Sequence, residues 1–167
     1  MSKKATVLWC IILGILDAIY CIICSYIPHV QNYMWIGFIS LPIFFCGGAA
    51  IKDIPKYSLC AISGVLWGSL TLVFIGLGLF NNPSLNMGII VTIVVAICCS
   101  VHMAFCTEDV LGGLLSNCPM VFGGFAAIFS QGTTEIIGVI ATLILGIILG
   151  AIMGAAGPIC ANLIDNK

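Results

Sequence analysis

Ser40-Leu41-Pro42-Ile43-Phe44-Phe45-Cys46-Gly47-Gly48-Ala49-Ala50-Ile51 recurs 77 positions later as Asn117-Cys118-Pro119-Met120-Val121-Phe122-Gly123-Gly124-Phe125-Ala126-Ala127-Ile128. Six pairs are identical: Pro42/Pro119, Phe45/Phe122, Gly47/Gly124, Ala49/Ala126, Ala50/Ala127 and Ile51/Ile128. Outside this stretch the offset aligns little, Cys21 with Cys98 being a rare match. The repeated stretch divides the chain into two halves.

What surrounds each copy sets the class. Of the residues, 62% are hydrophobic and only 7% are charged, and the mean hydropathy is +1.26. A soluble fold of this length needs charge to cover its core, whereas a bilayer solvates apolar surface directly. In hydrocarbon the backbone must satisfy itself, so the chain spans as helices or as a closed barrel. Long apolar runs without alternation point to helices. The expected fold is therefore an all-α integral membrane protein, a single membrane domain over 1–167.

Six apolar segments approach the ~20 residues that cross a ~30 Å hydrocarbon core: about 5–27, 32–51, 58–80, 86–106, 111–130 and 136–157. Breakers fill the short connections: Pro28-His29 with Gln31-Asn32, Lys52 to Lys56 around Pro55, Asn81 to Ser84, Thr107 to Asp109, and Gln131 to Thr134. There is no arginine, and Lys3, Lys4, Lys52, Lys56 and Lys167 all fall on one side of a six-span arrangement. Positive-inside bias makes that side cytoplasmic, with both termini inside and residues 158–167 as a tail. The first apolar run is too long, and lacks the cleavage site, for a signal peptide. Repeat 1 occupies about 5–80 and repeat 2 about 82–157. Three crossings per repeat return the second copy upside down, which predicts two inverted three-helix repeats with a solute path between them.

Net charge is −1, and no basic cluster points to nucleic acid or to anionic-lipid recognition. The ten cysteines scatter through the expected spans and read as small buried hydrophobes rather than a disulfide framework.

Four groups of residues could carry chemistry. Pro42 and Pro119 lie about ten residues into their spans, near mid-bilayer by helix rise, and Ser40 and Asn117 two positions earlier are good N-cap types. One reading breaks spans 2 and 5 at proline, so that two helix N-termini converge on a solute with free N–H groups and positive dipole ends. The other is an ordinary proline kink with glycine packing. Gly47-Gly48 and Gly123-Gly124 allow close backbone approach or a second break, and Phe45 and Phe122 accompany them. Asp17 is the only acidic residue deep in a span. Because such a carboxylate costs about 2.5–3.5 kcal/mol to insert, it avoids lipid. It reads as a cation, proton or solute site, or as a structural carboxylate bonded to a neighbouring helix. His102 sits near the end of span 4, with Cys99 and Cys106 on its face; one straight helix closes a tetrahedral metal site poorly, so no metal or other cofactor is expected, and His102 reads as a gating or relay residue or as interfacial packing. Gly64-x-x-x-Gly68 and Gly146-x-x-x-Gly150-x-x-x-Gly154 let helices approach closely, within the chain or between copies of it. Tyr26, Tyr33 and Trp35 fit an aromatic belt, whereas Trp67 sits mid-span and faces the interior.

The six spans, the Trp35–Ile51 stretch ending Phe-Phe-Cys-Gly-Gly-Ala-Ala, and Trp67-Gly68 resemble a family of small bacterial inner-membrane proteins of unknown function, the YcdZ/YahC type. The resemblance covers nearly the whole chain and implies a multi-pass inner-membrane location without an assigned activity. The Ser-x-Pro and Asn-x-Pro pair also resembles the half-helices of aquaporins, and the span count resembles formate/nitrite and urea channels. The aquaporin Asn-Pro-Ala and filter arginine are missing, so water or glycerol selectivity does not carry over.

The expected function is a channel or facilitator for a small polar neutral or anionic solute. Its path would be lined from Asp17, Ser40, Pro42, Phe45, Gly47, Gly48, Trp67, Asn117, Pro119, Phe122, Gly123 and Gly124. The alternatives are a proton-coupled carrier using Asp17 and a structural subunit without transport. No Ser-His-Asp, paired-carboxylate or nucleotide-binding arrangement points to an enzyme. Expected partners are the lipid bilayer, the solute and further copies of the chain, because the three-glycine face of span 6 gains contact only when another helix covers it.

Overall fold

The computed structural model describes residues 1–132 and 135–165, except for the side chain at 111. Thr133, Thr134, Asn166 and Lys167 lie outside the described residues, and with them the last connection and the fifth charge of the orientation argument. The described residues form six α-helices and no strand. They are α1 (Lys3–Tyr26), α2 (Gly37–Cys46), α3 (Ile54–Gly76), α4 (Pro83–Ser100), α5 (Cys118–Gln131) and α6 (Ile136–Asp165). One turn of 3₁₀ helix, Met34–Ile36, leads into α2, and a π-helical turn, Val101–Phe105, extends α4.

Among the described residues, four of these helices are long and apolar enough to cross a membrane, which fits a multi-pass membrane protein. The other two are shorter than expected: α2 has 10 residues and α5 has 14. At 1.5 Å per residue α5 covers about 21 Å, less than a hydrocarbon core. Both losses have local causes. Span 5 begins late because Gly112 (φ 61°) and Gly113 (φ 70°) are left-handed, so only a 3₁₀ turn, Leu111–Gly113, precedes the extended run to Asn117. Span 2 stops early because Gly48 (φ 99°) and Ala49 (φ 51°) turn the chain out of the helix.

The two prolines behave differently. Asn117 caps α5, its Oδ1 accepting from Met120 N at 3.0 Å, with Pro119 in the first turn. In contrast, Pro42 lies inside α2 and does not break it. Ser40 is no N-cap: fully buried, it donates to Leu143 O of α6 at 2.7 Å. That bond fixes Ser40 within a helix already begun at Gly37, and a kinked helix with packed neighbours tolerates the missing proline N–H. Pro158 is likewise inside α6, so residues 158–165 are helix rather than tail.

Successive helices alternate in direction. At one end of the bundle Asp165 of α6 accepts from the amide of Ser2 at 2.9 Å and from its hydroxyl, while Ser2 caps α1. At the other end His29 and Glu135 approach to 3.6 Å. Lys3, Lys4, Lys52 and Lys56 belong to the Ser2–Asp165 end.

Glycine sets the packing. A Cβ on Gly64 would meet Val121 O and C, and one on Gly124 would meet Ala61 O and lie 3.0 Å from Val65 N, so α3 and α5 touch backbone to backbone. Along α6, Gly146 rests on Gly37 and Ser40, Gly150 on Leu41 and Phe44, and Gly154 on Ala49. These α3–α5 and α2–α6 pairs are the most extensive helix contacts, and both pairs run parallel. The three-glycine face of α6 is thus covered within the chain, by α2. Val65, Val121, Ile128, Leu143 and Ile147 are fully buried along these seams, and all ten cysteines are free.

Gly124→Val is expected to lower stability by about 1–3 kcal/mol or more through overpacking. Gly88→Ala, at a position with nothing within 4 Å, should stay within about 0.5 kcal/mol. Unfolding midpoints in a denaturing-detergent titration distinguish the two.

Candidate functional site

The turn at Gly48 and the late start of α5 leave a hollow between α2, α3 and α5. It has a volume of about 490 Å³ and is lined by Pro42, Ile43, Cys46, Gly47, Tyr57, Asn117 and Pro119. Thus Pro42, Gly47, Asn117 and Pro119 line one hollow, and Tyr57 joins them from α3. Tyr57 is buried, its ring perpendicular to Phe44 at 4.9 Å. Gly47 is needed because a Cβ there would fall on the Tyr57 hydroxyl.

The electrostatics differ from two converging N-termini. Since α2 is unbroken at Pro42, it turns its C-terminal end, Cys46 and Gly47, to the pocket, while α5 turns its N-terminal end. The two dipole ends oppose rather than add. The first donors of α5 are also engaged: Cys118 N bonds Ser116 O, and Met120 N and Val121 N bond Asn117. What remains for a ligand is the Tyr57 hydroxyl, the Asn117 amide and the Cys46 thiol, with no charged side chain among the lining residues. Tyr57 is about 5 Å from the start of α3 by helix rise, so the pocket lies towards the lysine-bearing end rather than at mid-helix. Behind it α2 and α5 close: a Cβ on Gly123 would stand 3.0 Å from Ile43 Cδ1 and 3.3 Å from Ile39 Cγ2.

The remaining expected path residues lie elsewhere. Asp17 is on the α1 stripe between Trp9, which packs on Phe45 at 5.7 Å, and Tyr20, which packs on Phe38 at 5.5 Å. Its Oδ1 is buried without a hydrogen-bond partner, and it does not line the pocket. Phe45 belongs to that α1 contact, Ser40 to the α2–α6 seam and Gly124 to the α3–α5 seam. Gly48 is exposed at the turn, and Phe122 points outward.

Trp67 and His102 form a second polar centre, missed as such in the sequence. His102 is buried rather than interfacial. The Trp67 indole donates to His102 Nε2 at 3.2 Å, so this nitrogen is an acceptor and the ring proton resides on Nδ1. Nδ1 then donates to Leu115 O at 2.8 Å, and Ser63 Oγ adds a contact to Nε2 at 3.0 Å. Cys60 Sγ similarly reaches Leu114 O at 3.4 Å. These side chains hold the non-helical run that presents Asn117. The available signal was Ser63 and Trp67 one turn apart on α3, matching a histidine inside an apolar span. Among the described residues no three His, Cys, Asp or Glu side chains converge as metal ligands.

A family model described as "Protein of unknown function (DUF1097)" matches residues 10–158. No curated protein and no solved structure matches the chain.

His102→Ala strands the Trp67 donor and the Leu115 acceptor in a buried setting, which should cost about 1–3 kcal/mol. Ser63→Ala should cost less, because Trp67 still serves Nε2. Detergent unfolding measures both.

Proposed function

The chain belongs to this family of proteins of unknown function, which brings no activity with it, and we propose that it is a membrane facilitator for a small, neutral, hydrogen-bonding solute. The observation that carries the proposal is the α2–α3–α5 pocket. An uncharged hollow of about 490 Å³ holding a hydroxyl and an amide suits a polar solute without net charge. An anion would need the added helix dipoles and free N–H groups that opposed helix ends do not supply. Ile39 and Ile43 against Gly123 act as the gate, so passage requires α2 and α5 to part, as in a gated path rather than an open pore.

Six crossings in two inverted repeats belong to the same proposal. Support comes from the matching helix pairs: α2 lies on α6 as α5 lies on α3, the exchange that a three-helix inverted repeat requires. The lysines at one bundle end support a cytoplasmic placement of that end. The bacterial inner membrane and the YcdZ/YahC type rest on the sequence resemblance. Self-association is also part of the proposal, with the lipid-facing surface rather than the α6 glycines as its contact.

A proton-coupled carrier through Asp17 has less support, because that carboxylate is on α1 away from the pocket. The structural-subunit reading is favoured by one observation, the backbone-tight glycine seams.

Stopped-flow swelling of proteoliposomes with small amides and polyols tests the proposal. The unmodified protein should admit at least one such solute faster than protein-free vesicles. Asn117→Ala and Tyr57→Phe should each slow it by roughly tenfold, the scale of one lost hydrogen bond, and Gly47→Leu should abolish the flux. Rates equal to empty vesicles for every solute favour the structural reading; flux unchanged by all three variants removes the pocket from the path.

A further inference from the structure

Three hydrogen-bonding groups meet the His102 ring, and they differ in what they can do when its charge changes. The Trp67 indole, 3.2 Å from Nε2, can only donate, and the Leu115 carbonyl, 2.8 Å from Nδ1, can only accept. Ser63 Oγ, 3.0 Å from Nε2, can do either, because a hydroxyl carries both a proton and lone pairs. The neutral ring suits all three. A proton added to Nε2 suits only two. The Leu115 bond persists and gains the strength of a charged donor, and the Ser63 hydroxyl can turn a lone pair to the new N–H. Trp67 is excluded, since two N–H groups would then face each other across 3.2 Å.

The titratable side chains on the elements around this ring are mostly thiols. Cys60 of α3 bonds the neighbouring Leu114 O, Cys98, Cys99 and Cys106 lie about one turn away along the segment that carries His102, and Cys118 begins α5. Lys56 and Tyr57 of α3 stand about 10 Å before Ser63 by helix rise. Glu108 and Asp109 are exposed in the run after α4, and α6 brings only Cys160 and Asp165, the latter bonded to Ser2. Among the described residues the one ion pair made by a histidine is that of His29 with Glu135. The balance between the two forms of His102 therefore falls to Ser63 and Trp67.

We propose that His102 is a proton-operated switch at the joint of α3, α4 and α5: neutral, it holds Trp67; protonated at Nε2, it takes Ser63 as acceptor and releases the indole. Trp67 packs on the main core cluster and on the cluster of Ile90, Val94 and Phe125, and α3 is the helix on which α4 chiefly rests. Acid thus loosens α4 from α3, while the bond to Leu115, and with it the run that presents Asn117, is kept. The switch does not depend on the transport reading.

Nitrogen-15 NMR of the full chain in lipid nanodiscs, labelled at histidine and tryptophan and followed from about pH 8 to about pH 5, where histidine changes charge, tests this. His29→Asn, at an exposed site, leaves His102 as the one labelled imidazole, and the Trp67 indole signal is the one missing from Trp67→Phe. On acidification Nε2 of His102 should take up a proton with Nδ1–H retained. The Trp67 indole signal should move in step, and those of Trp9 and Trp35 should stay. Ser63→Ala withdraws the acceptor of the charged form and should lower the midpoint by about one pH unit, a roughly tenfold loss of proton affinity. Trp67→Phe removes the donor that holds the neutral form and should raise the midpoint. His102 still neutral at the pH where helical circular dichroism is lost overturns the proposal. So does a midpoint that Ser63→Ala leaves in place, a readout that stands even if Trp67→Phe fails to fold.

Discussion

Backbone groups inside hydrocarbon must have partners, each orphan costing several kcal/mol, and the segment between α4 and α5 is where this constraint is hardest to meet. Gly112 and Gly113 take the chain out of helical geometry, so the carbonyls of Leu114 and Leu115 have no helical partner in their own segment. Cys60 and His102 supply the donors. Trp67 then becomes necessary, because its N–H fixes the tautomer in which His102 can donate. The start of α5, the cap by Asn117 and the pocket beside it all depend on this chain of bonds.

Glycine performs the complementary task where the backbone is helical. Lipid chains are as apolar as leucine, so helices associate through van der Waals fit rather than through exclusion from water. Along α3–α5 and α2–α6 the fit reaches main-chain contact, and the two seams clamp the short helices that could not span alone. Such seams leave no room for side chains between the paired helices.

Class and helix content were legible because composition and run length report directly on solvent and period. The convergence of Pro42, Gly47, Asn117 and Pro119 was legible because a repeated stretch carries repeated placement. The difference between the copies was not. Ser40 and Asn117 are equally good caps on paper, yet Ser40 finds Leu143 O on another helix while Asn117 finds its own Met120 N. That choice is made by tertiary contact. Similarly, Gly47-Gly48 became a chain reversal, with Gly48 and Ala49 at positive φ, and Gly124 of the second pair a backbone-tight helix seam. Tyr57 itself carries no local signal, being one aromatic among several at a helix start. His102 was singled out, but its burial depended on a π-turn that periodicity does not reveal.

The tie between Ser2 and Asp165 bears on the order of assembly. The principal partner of α1 is α6, which follows it in the chain by more than a hundred residues. At 5–20 residues per second of synthesis, α1 emerges on the order of 10 s before that partner exists. During that interval its surface must be acceptable to lipid, and the exposed row Val7, Ile11, Ile15, Ile19 and Ile22 makes it so. Trp9, Tyr20 and the carboxylate of Asp17 wait on the other side. The bundle therefore closes late, with α6 drawing in a helix that has been a resident of the bilayer from the outset.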